Sequence, residues 1–429
     1  MSANVTTTSI TPALLEVVDR TIYEYVNKTA NSYTRWGAGQ GKDINARGAF
    51  VVGESLPNPS WGGFAEGGLY PDPGAQTLQK MTIAYQRQGQ TNRLTKDALQ
   101  SKAGQLSETL ARNIQSDTNQ FLKQCNRMMF QNGNGAIGIV LTISGVTITF
   151  DAPFYGTQFI VGGAYQVYTT AGVLRGAQTE VYKVVSKSGA TVTFDTTIAT
   201  SGTGGAVAAG DVVCYKATYG LEVNGFPYHI NNSLTGSYQG ITKTSLPEGF
   251  IPVAEDAGGG NISVALIERN KGMIKYKPGN TLSMKHFFLS SPTQINSYLS
   301  LGGKEGANTI WRAQQSGRTL DLQWSAVEYC GDTFFEDIDC PDDTLYFMHD
   351  QIIARYEYKK LGPETFDGGD NGSLLWPIPG FTSGTGNWYD QRMMITTIKE
   401  NWGSVNPASA FVINNLSTGP YANRGRMLQ

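Results

Sequence analysis

Three glycines pose the first chemical question. Gly133, Gly135 and Gly138, in "MMFQNGNGAIGIVLTISGV" (128–146), spell G-x-G-x-x-G. In a dinucleotide-binding enzyme that spacing follows a strand and opens a helix, so that backbone N–H groups and the helix N-terminus face a pyrophosphate. Here a helical pattern precedes the glycines and strands follow them. No acidic residue stands about 20 positions on, Asp151 coming too early. The order is reversed, and the glycines read as a hinge between elements.

Other candidate chemistry also fails on spacing. "WGAGQGKD" (36–43) is one residue short of a phosphate loop, and Asp43 occupies the place of the magnesium-binding hydroxyl. A carboxylate there repels phosphate, so a flexible loop is expected. Glu336, Asp337 and Asp339 in "FFEDIDCPDD" could pair as general acid and base. No His stands beside them, and period-two alternation sends Glu336 and Asp337 to opposite faces of a strand. A solvated strand end or turn is expected, with weak divalent-ion binding as the alternative. "FDGGDNGSL" (366–374) imitates a calcium loop, but Gly369 takes a ligand position and Ile378 stands where the bidentate Glu belongs.

Cys125, Cys214, Cys330 and Cys340 form no C-x-x-C, and His229, His286 and His349 are isolated, so no zinc spacing arises. The thiols are expected to be free or buried in a reducing compartment. There is no G-x-S-x-G, H-E-x-x-H or S-x-x-K. The expectation is therefore no catalytic group, no cofactor, no metal and no enzyme.

The elements that would have to position any site are those of a turn-rich β protein. The chain of 429 residues has 51 glycines, 16% charged and 11% aromatic residues, a composition far from a coiled coil or a disordered chain. The net charge of -2 argues against a dedicated nucleic-acid binder, which needs a basic face to displace counterions. The start "MSANVTTTSI" lacks the basic and apolar regions of a signal peptide, and no run of 18 apolar residues occurs. Neither export by a signal peptide nor a membrane span is expected.

Residues 12–28 place Leu14, Val17, Val18, Ile22 and Tyr25 at helical spacing after Pro12, giving a short amphipathic helix on a polar arm. "ARGAFVVGES" and "KMTIAYQRQ" read as two strands of a hairpin. Between them, "LPNPSWGGFAEGGLYPDPGAQT" is dense in Gly and Pro yet carries Trp61, Phe64, Leu69 and Tyr70. A loop this long is usually functional, and exposed rings on it suggest a surface awaiting a partner. Trp61, Phe64, Leu69 and Tyr70, with Tyr85 and Arg87 on the following strand, are the candidate inter-subunit contacts. The alternative is that the tip folds back on its own domain.

A long helix is predicted from about Thr95 to Phe130, with Ala103, Leu106, Leu110, Ile114, Phe121, Cys125 and Met128 on one stripe. Residues 137–216 then read as strand after strand. "SGVTITFDAP" is echoed by "SGATVTFDTT", both of the form S-G-x-T-[IV]-T-F-D. Two copies are too few for a propeller, so a small β-barrel or sandwich inserted into a host domain is predicted. The remainder mixes strands and helices: a helix in "SVALIERNKGMIKY", a buried strand in "MKHFFLSSP", a helix after Pro292, short strands around Gly331 and Pro341, and two closing strands joined at Asn406-Pro407.

Taken in order, these pieces resemble the major capsid protein of tailed bacteriophages, the Hong Kong 97-type fold. "GGFAEGGLYPDPGAQTLQKMTIAYQR" resembles its extended loop, and "YGLEVNGFPYHINN" with "SYQGITKTSLPEGFIPV" the entry to its axial domain. "HFFLSSPTQINSYL", "YCGDTFFEDIDCPDDTLYFMHD" and "ENWGSVNPASAFVIN" resemble axial strands and helix, then closing peripheral strands. The resemblance implies an α+β fold: N-terminal arm 1–45, extended loop 46–94, spine helix 95–132, inserted β domain 137–216, mainly axial domain 217–385 and closing peripheral strands 386–429.

It also implies a shell subunit that assembles with itself into pentamers and hexamers around packaged double-stranded DNA. A separate scaffolding protein, a portal and a decoration protein are implied partners, and the virion, assembled in the bacterial cytoplasm, is the implied location. Some relatives crosslink their shells through a Lys on the extended loop; Lys80 lies in that segment, with no acceptor aligned. The competing readings are an encapsulin, a protein-filled compartment of the same shell fold, and a β-rich carbohydrate-binding protein or enzyme.

Overall fold

A computed structural model describes residues 32–33, 42–43, 49–53, 63–64, 66, 68–70, 79–95, 103–151, 158–176, 181–198, 204–246, 250–277, 285–301, 328–363, 376–377, 391–404 and 407–418. The helix predicted at 12–28, the loop at 366–374 and Trp61 lie outside them. The chain forms two compact units.

The first unit draws on 1–49, 84–129 and 354–402. Its five-stranded sheet runs Lys42–Asp43, Ala354–Pro363, Gln391–Gly403, Trp376–Pro377, with Gln86–Thr95 also paired to Gln391–Gly403. The last pairing is antiparallel over ten residues, from Gln391 opposite Thr95 to Glu400 opposite Gln86. Lys42 and Asp43, expected in a flexible loop, instead pair in parallel with Tyr356 and Glu357. The edge of Ala354–Pro363 offers free backbone partners, which a polar dipeptide satisfies as well as an apolar one.

The long helix is present but shorter than predicted. It spans Ala103–Met129, 27 residues or about 40 Å. Thr95 ends the preceding strand, which carries Thr and Gln where β pairing overrides weak helical preference. Phe121, Cys125 and Met128 are buried as the stripe requires, and Thr118, Leu122, Asn126 and Arg127 widen the buried face.

The second unit contains a closed six-stranded barrel, in the order Val212–Tyr215, Ala136–Ser144, Thr147–Phe150, Thr191–Phe194, Tyr182–Ser188, Ala164–Tyr168. The sequence repeat becomes a local pseudo-twofold. Gly145 (φ 60°) and Gly189 (φ 56°) begin two tight turns that only a residue without Cβ adopts easily. The second strands of the two hairpins lie side by side, Ile148 opposite Val192 and both fully buried. Phe150 N donates to Ala190 O at 2.8 Å, and Phe194 N to Val146 O at 2.9 Å, the same bond made from each copy. Phe150, Phe159, Tyr165, Tyr182 and Phe194 fill the interior, so the barrel is a packed core.

Of the three opening glycines, two are hinges. Gly133 (φ 84°) and Gly135 (φ 80°) hold left-handed backbone, and a Cβ on Gly135 would stand 2.8 Å from Thr218 O. Gly138 is instead a strand residue, opposite Val213. The chain leaves and returns at one place: Gly220 N bonds Asn134 O at 2.9 Å, and Gly225 N bonds Gln131 O at 3.0 Å.

The second unit also holds a six-stranded mixed sheet, Val253–Asp256, Phe411–Asn414, Leu345–His349, His286–Ser290, Asp332–Glu336, Glu328–Tyr329. Its two central strands are buried at every residue, which explains their unbroken apolar and aromatic runs. Phe288, Phe334, Phe347 and Phe411 stack through this core. The helices Val264–Lys275 and Pro292–Leu301 contribute Ile267, Ile274, Ile295 and Tyr298 to it. Ser263 caps the first by accepting from Leu266 N. No helix among the described residues is long and apolar enough to cross a membrane.

Candidate functional site

The hairpin root is a pair of strands, Ala49–Gly53 and Gln79–Ile83, the latter containing Lys80. Met81 is fully buried against Tyr238 and Phe250, and Thr82 N donates to Gln239 O at 2.8 Å, so the root is anchored. The tip is not. Phe64 and Tyr70 face each other with ring centroids 4.7 Å apart, yet are 56% and 77% exposed, and Leu69 is 95% exposed. Among the described residues of the tip, these three side chains are uncovered within the single chain.

Tyr85 and Arg87, the other two candidate contacts, belong to the first unit. Tyr85 stacks on Tyr358 at 5.0 Å with planes 12° apart, and Lys399 Nζ lies 5.8 Å from the same Tyr358 ring. Arg87 is exposed, on the strand position opposite Lys399. Tyr85 is thus engaged within its own chain, while Phe64, Leu69 and Tyr70 present unsatisfied apolar surface.

The carboxylate run departs from expectation. Glu336 is exposed, but Asp337 and Asp339 are buried rather than solvated. Asp337 Oδ1 accepts from Asp339 N at 2.8 Å, and Asp339 Oδ1 accepts from Gln158 Nε2 at 3.4 Å. Asp337 closes the turn with its own side chain and Asp339 ties that turn to Gln158, uses for Asp that spacing does not reveal. Among the described residues no group of three or more His, Cys, Asp or Glu is placed to hold a metal.

Strand pairing brings together two histidines that are 63 positions apart in the sequence. His286 and His349 are register partners in adjacent antiparallel strands, buried, with ring centroids 5.4 Å apart. His349 Nε2 lies 2.8 Å from Ser409 Oγ, and its Nδ1 accepts from Gln351 N at 3.1 Å, which places the proton on Nε2. Burial, then the charge His286 would carry, hold His349 down at about 4. The ring stays neutral at neutral pH.

The first unit buries a polar cluster that no motif announced. Tyr33 OH donates to Glu400 Oε1 at 2.9 Å, and Arg355 donates to Glu400 Oε2 and reaches Glu357 at 2.7 Å. Trp402 meets Tyr33 edge-on. Burial, then the Glu400 charge, push the Tyr33 hydroxyl well above its ordinary range, so it remains a donor. Burial likewise pushes the Cys125 thiol up, leaving it a poor nucleophile. Cys125, Cys214 and Cys340 are buried and Cys330 is exposed, none of them in a disulfide. The cluster can fasten the arm residue Tyr33 to the sheet.

No protein-family model matches the chain, and no curated protein sequence matches it. Solved structures do. The capsid asymmetric unit of cyanophage A-1(L) superposes with a TM-score of 0.51 at 14% identity, covering 91% of this chain and 94% of that one. The holo-SrpI encapsulin complex from Synechococcus elongatus PCC 7942 gives 0.42 at 6% identity, covering 90% and 88%. The capsid of the native GTA particle gives 0.41 at 11% identity, covering 90% and 91%. The cyanophage match, near-complete in both directions at so low an identity, is a statement about fold, and the resemblance read from the sequence holds at that level: the chain is built on the α+β fold of phage capsid subunits.

Proposed function

We propose that this protein is the major capsid protein of a tailed bacteriophage, a structural subunit and not an enzyme, assembling with itself into an icosahedral shell around double-stranded DNA. The observation that carries the reading is an uncovered apolar tip on a capsid-type fold: Phe64, Leu69 and Tyr70 face solvent on an anchored hairpin. Burying each against a neighbour would contribute about 1.5–3 kcal/mol. A closed shell multiplies such modest contacts through its symmetry.

In this reading residues 46–94 are the extended loop, the helix Ala103–Met129 is the spine, and 217–385 build the axial domain with peripheral segments. The barrel is an insertion that decorates the shell surface, its ends joined at Asn134 and Gly220. The net charge of -2 suits a container, since a strongly basic wall would hold DNA against orderly packing and release. Scaffold, portal and decoration proteins are the further partners this role requires, and the virion is the location.

The test compares the wild-type protein with the variant Phe64→Ser/Leu69→Ser/Tyr70→Ser by sedimentation and circular dichroism. The expected outcome is large particles from the wild type, and folded subunits or capsomers that fail to close from the variant. Equal particle yield from both would remove the tip from assembly.

A further inference from the structure

The sheet of the first unit is far more basic than the chain of net charge -2 that contains it. Its three long strands, Gln86–Thr95, Ala354–Pro363 and Gln391–Gly403, hold Arg87, Arg93, Lys359, Lys360, Arg392 and Lys399. Against them stand two acids, Glu357 and Glu400, and Arg355 already engages both. The short edge strand Lys42–Asp43 adds one charge of each sign.

Strand alternation sorts these groups onto two faces. Ile398, Glu400 and Trp402 point inward and are fully buried, and Gln90 on the same side reaches Asp117 of the long helix at 3.4 Å. The positions between them look outward: Arg87, Gly89 and Thr91 are exposed, and Thr397 and Lys399 part-buried. Arg87 and Lys399 are register partners, and like charges set opposite each other on one sheet face repel. The next outward pair is Gly89 opposite Thr397, and Lys359 Nζ donates to the Thr397 hydroxyl at 3.2 Å. Three cations thus meet around one hydroxyl and one uncovered glycine. Lys399 also lies beside the ring of Tyr358, which is 46% exposed and stacked on Tyr85.

Arg and Lys, with Thr and Tyr hydroxyls, are groups that bind phosphate oxygens, and strands about 4.8 Å apart bring three such cations within reach of one or two phosphates. The same composition argues against a protein neighbour, because the centre of a protein interface is depleted in charge. Ile395, part-buried, is the one apolar residue at the described outward positions of Gln86–Thr95 and Gln391–Gly403.

We propose that this outward face, centred on Arg87, Lys359 and Lys399, is the surface through which the subunit contacts the phosphate backbone of packaged double-stranded DNA. It deepens the shell reading and rests on it, by naming the part of the subunit that meets the DNA. Arg87, read from the sequence as an inter-subunit contact, is reassigned to DNA. Three cations per copy make a sequence-independent contact that salt weakens, compatible with packing and release.

The test follows duplex binding by full-length, unassembled subunits through fluorescence anisotropy, with two short duplexes of unrelated sequence, between about 50 and 200 mM salt. The proposal expects equal affinity for both duplexes and a log–log salt slope of about -3, since each neutralised phosphate contributes about -0.9. Arg87→Gln/Lys359→Gln/Lys399→Gln should bind about tenfold more weakly and lose most of that slope. Arg87→Gln alone, at an exposed position that spares the fold, should reduce the slope by about 1. The charge-matched control Lys123→Gln/Lys216→Gln/Lys275→Gln, at exposed lysines elsewhere, should bind as the wild type does.

A control that loses as much as the triple variant would reduce the effect to overall charge and overturn the proposal. So would an unchanged slope in Arg87→Gln, or no salt-dependent binding by the wild type. Normal DNA binding with a loss of particle yield in the triple variant would give the face to a neighbouring copy instead. If the triple variant loses DNA binding while the wild type forms no shell, the DNA face stands and the shell reading falls.

Discussion

Burial at His349 works against a charge. In the folded chain the ring does not take up a proton until about pH 4, whereas its ordinary value is 6.5. Below about pH 6.5 the unfolded chain therefore binds a proton that the native chain refuses. Native stability is expected to fall as the pH drops from 6.5 towards 4, and to be indifferent to this residue above that window. His349→Gln, which keeps a polar partner for Ser409, should flatten the decline; denaturant midpoints at pH 7.0, 5.5 and 4.5 would show it. An unchanged slope would place the acid sensitivity elsewhere. None of this was legible in the sequence, because His286 and His349 meet only through strand register. The buried Glu400 was equally silent, since an acid in "TTIKENWG" looks like any solvated one. Glu400→Ala would leave the Tyr33 hydroxyl without its acceptor and buried Arg355 with Glu357 alone, and should cost about 3–5 kcal/mol in chemical denaturation. A loss below about 1 kcal/mol would mean that water reaches the site.

Elements were read more reliably than partners. The long helix and the buried strand His286–Ser290 announced themselves by period and by an unbroken apolar run. The barrel announced itself by its repeat, whose two copies became paired hairpins. Boundaries and pairings were less visible. Thr95 went to a strand because its partner, Gln391, lies nearly 300 positions away, and no local pattern carries that information. Asp337 and Asp339 were assigned to solvent because a short acid is as common at a wet turn as at one closed by its own carboxylates. The barrel makes two predictions. Ile148→Ala, at the centre of the pseudo-twofold, should destabilise it by about 2–5 kcal/mol, measured as a shift in its melting transition. Excising the barrel and joining Asn134 to Gly220 through a short glycine linker should leave the remaining sheet folded, because those residues are already hydrogen-bonded. Loss of all cooperative melting in the excised protein would mean the barrel is integral to its unit.

At the scale of the whole molecule, the two units bury their own cores, while the hairpin tip spends apolar surface on solvent. A monomer gains nothing from Leu69 at 95% exposure, whereas a subunit with neighbours on every side does. The sequence announced this tip through its composition, rings among glycines and prolines, before any fold was known. The most direct measurement is cryo-electron microscopy of the purified protein, with nuclease-protected nucleic acid assayed on the same particles. Closed icosahedral shells tens of nanometres across, holding DNA when assembled in an infected cell, are the predicted result. Shells filled with protein instead would make this an encapsulin-type compartment, and a protein that remains monomeric at high concentration would contradict the shell reading.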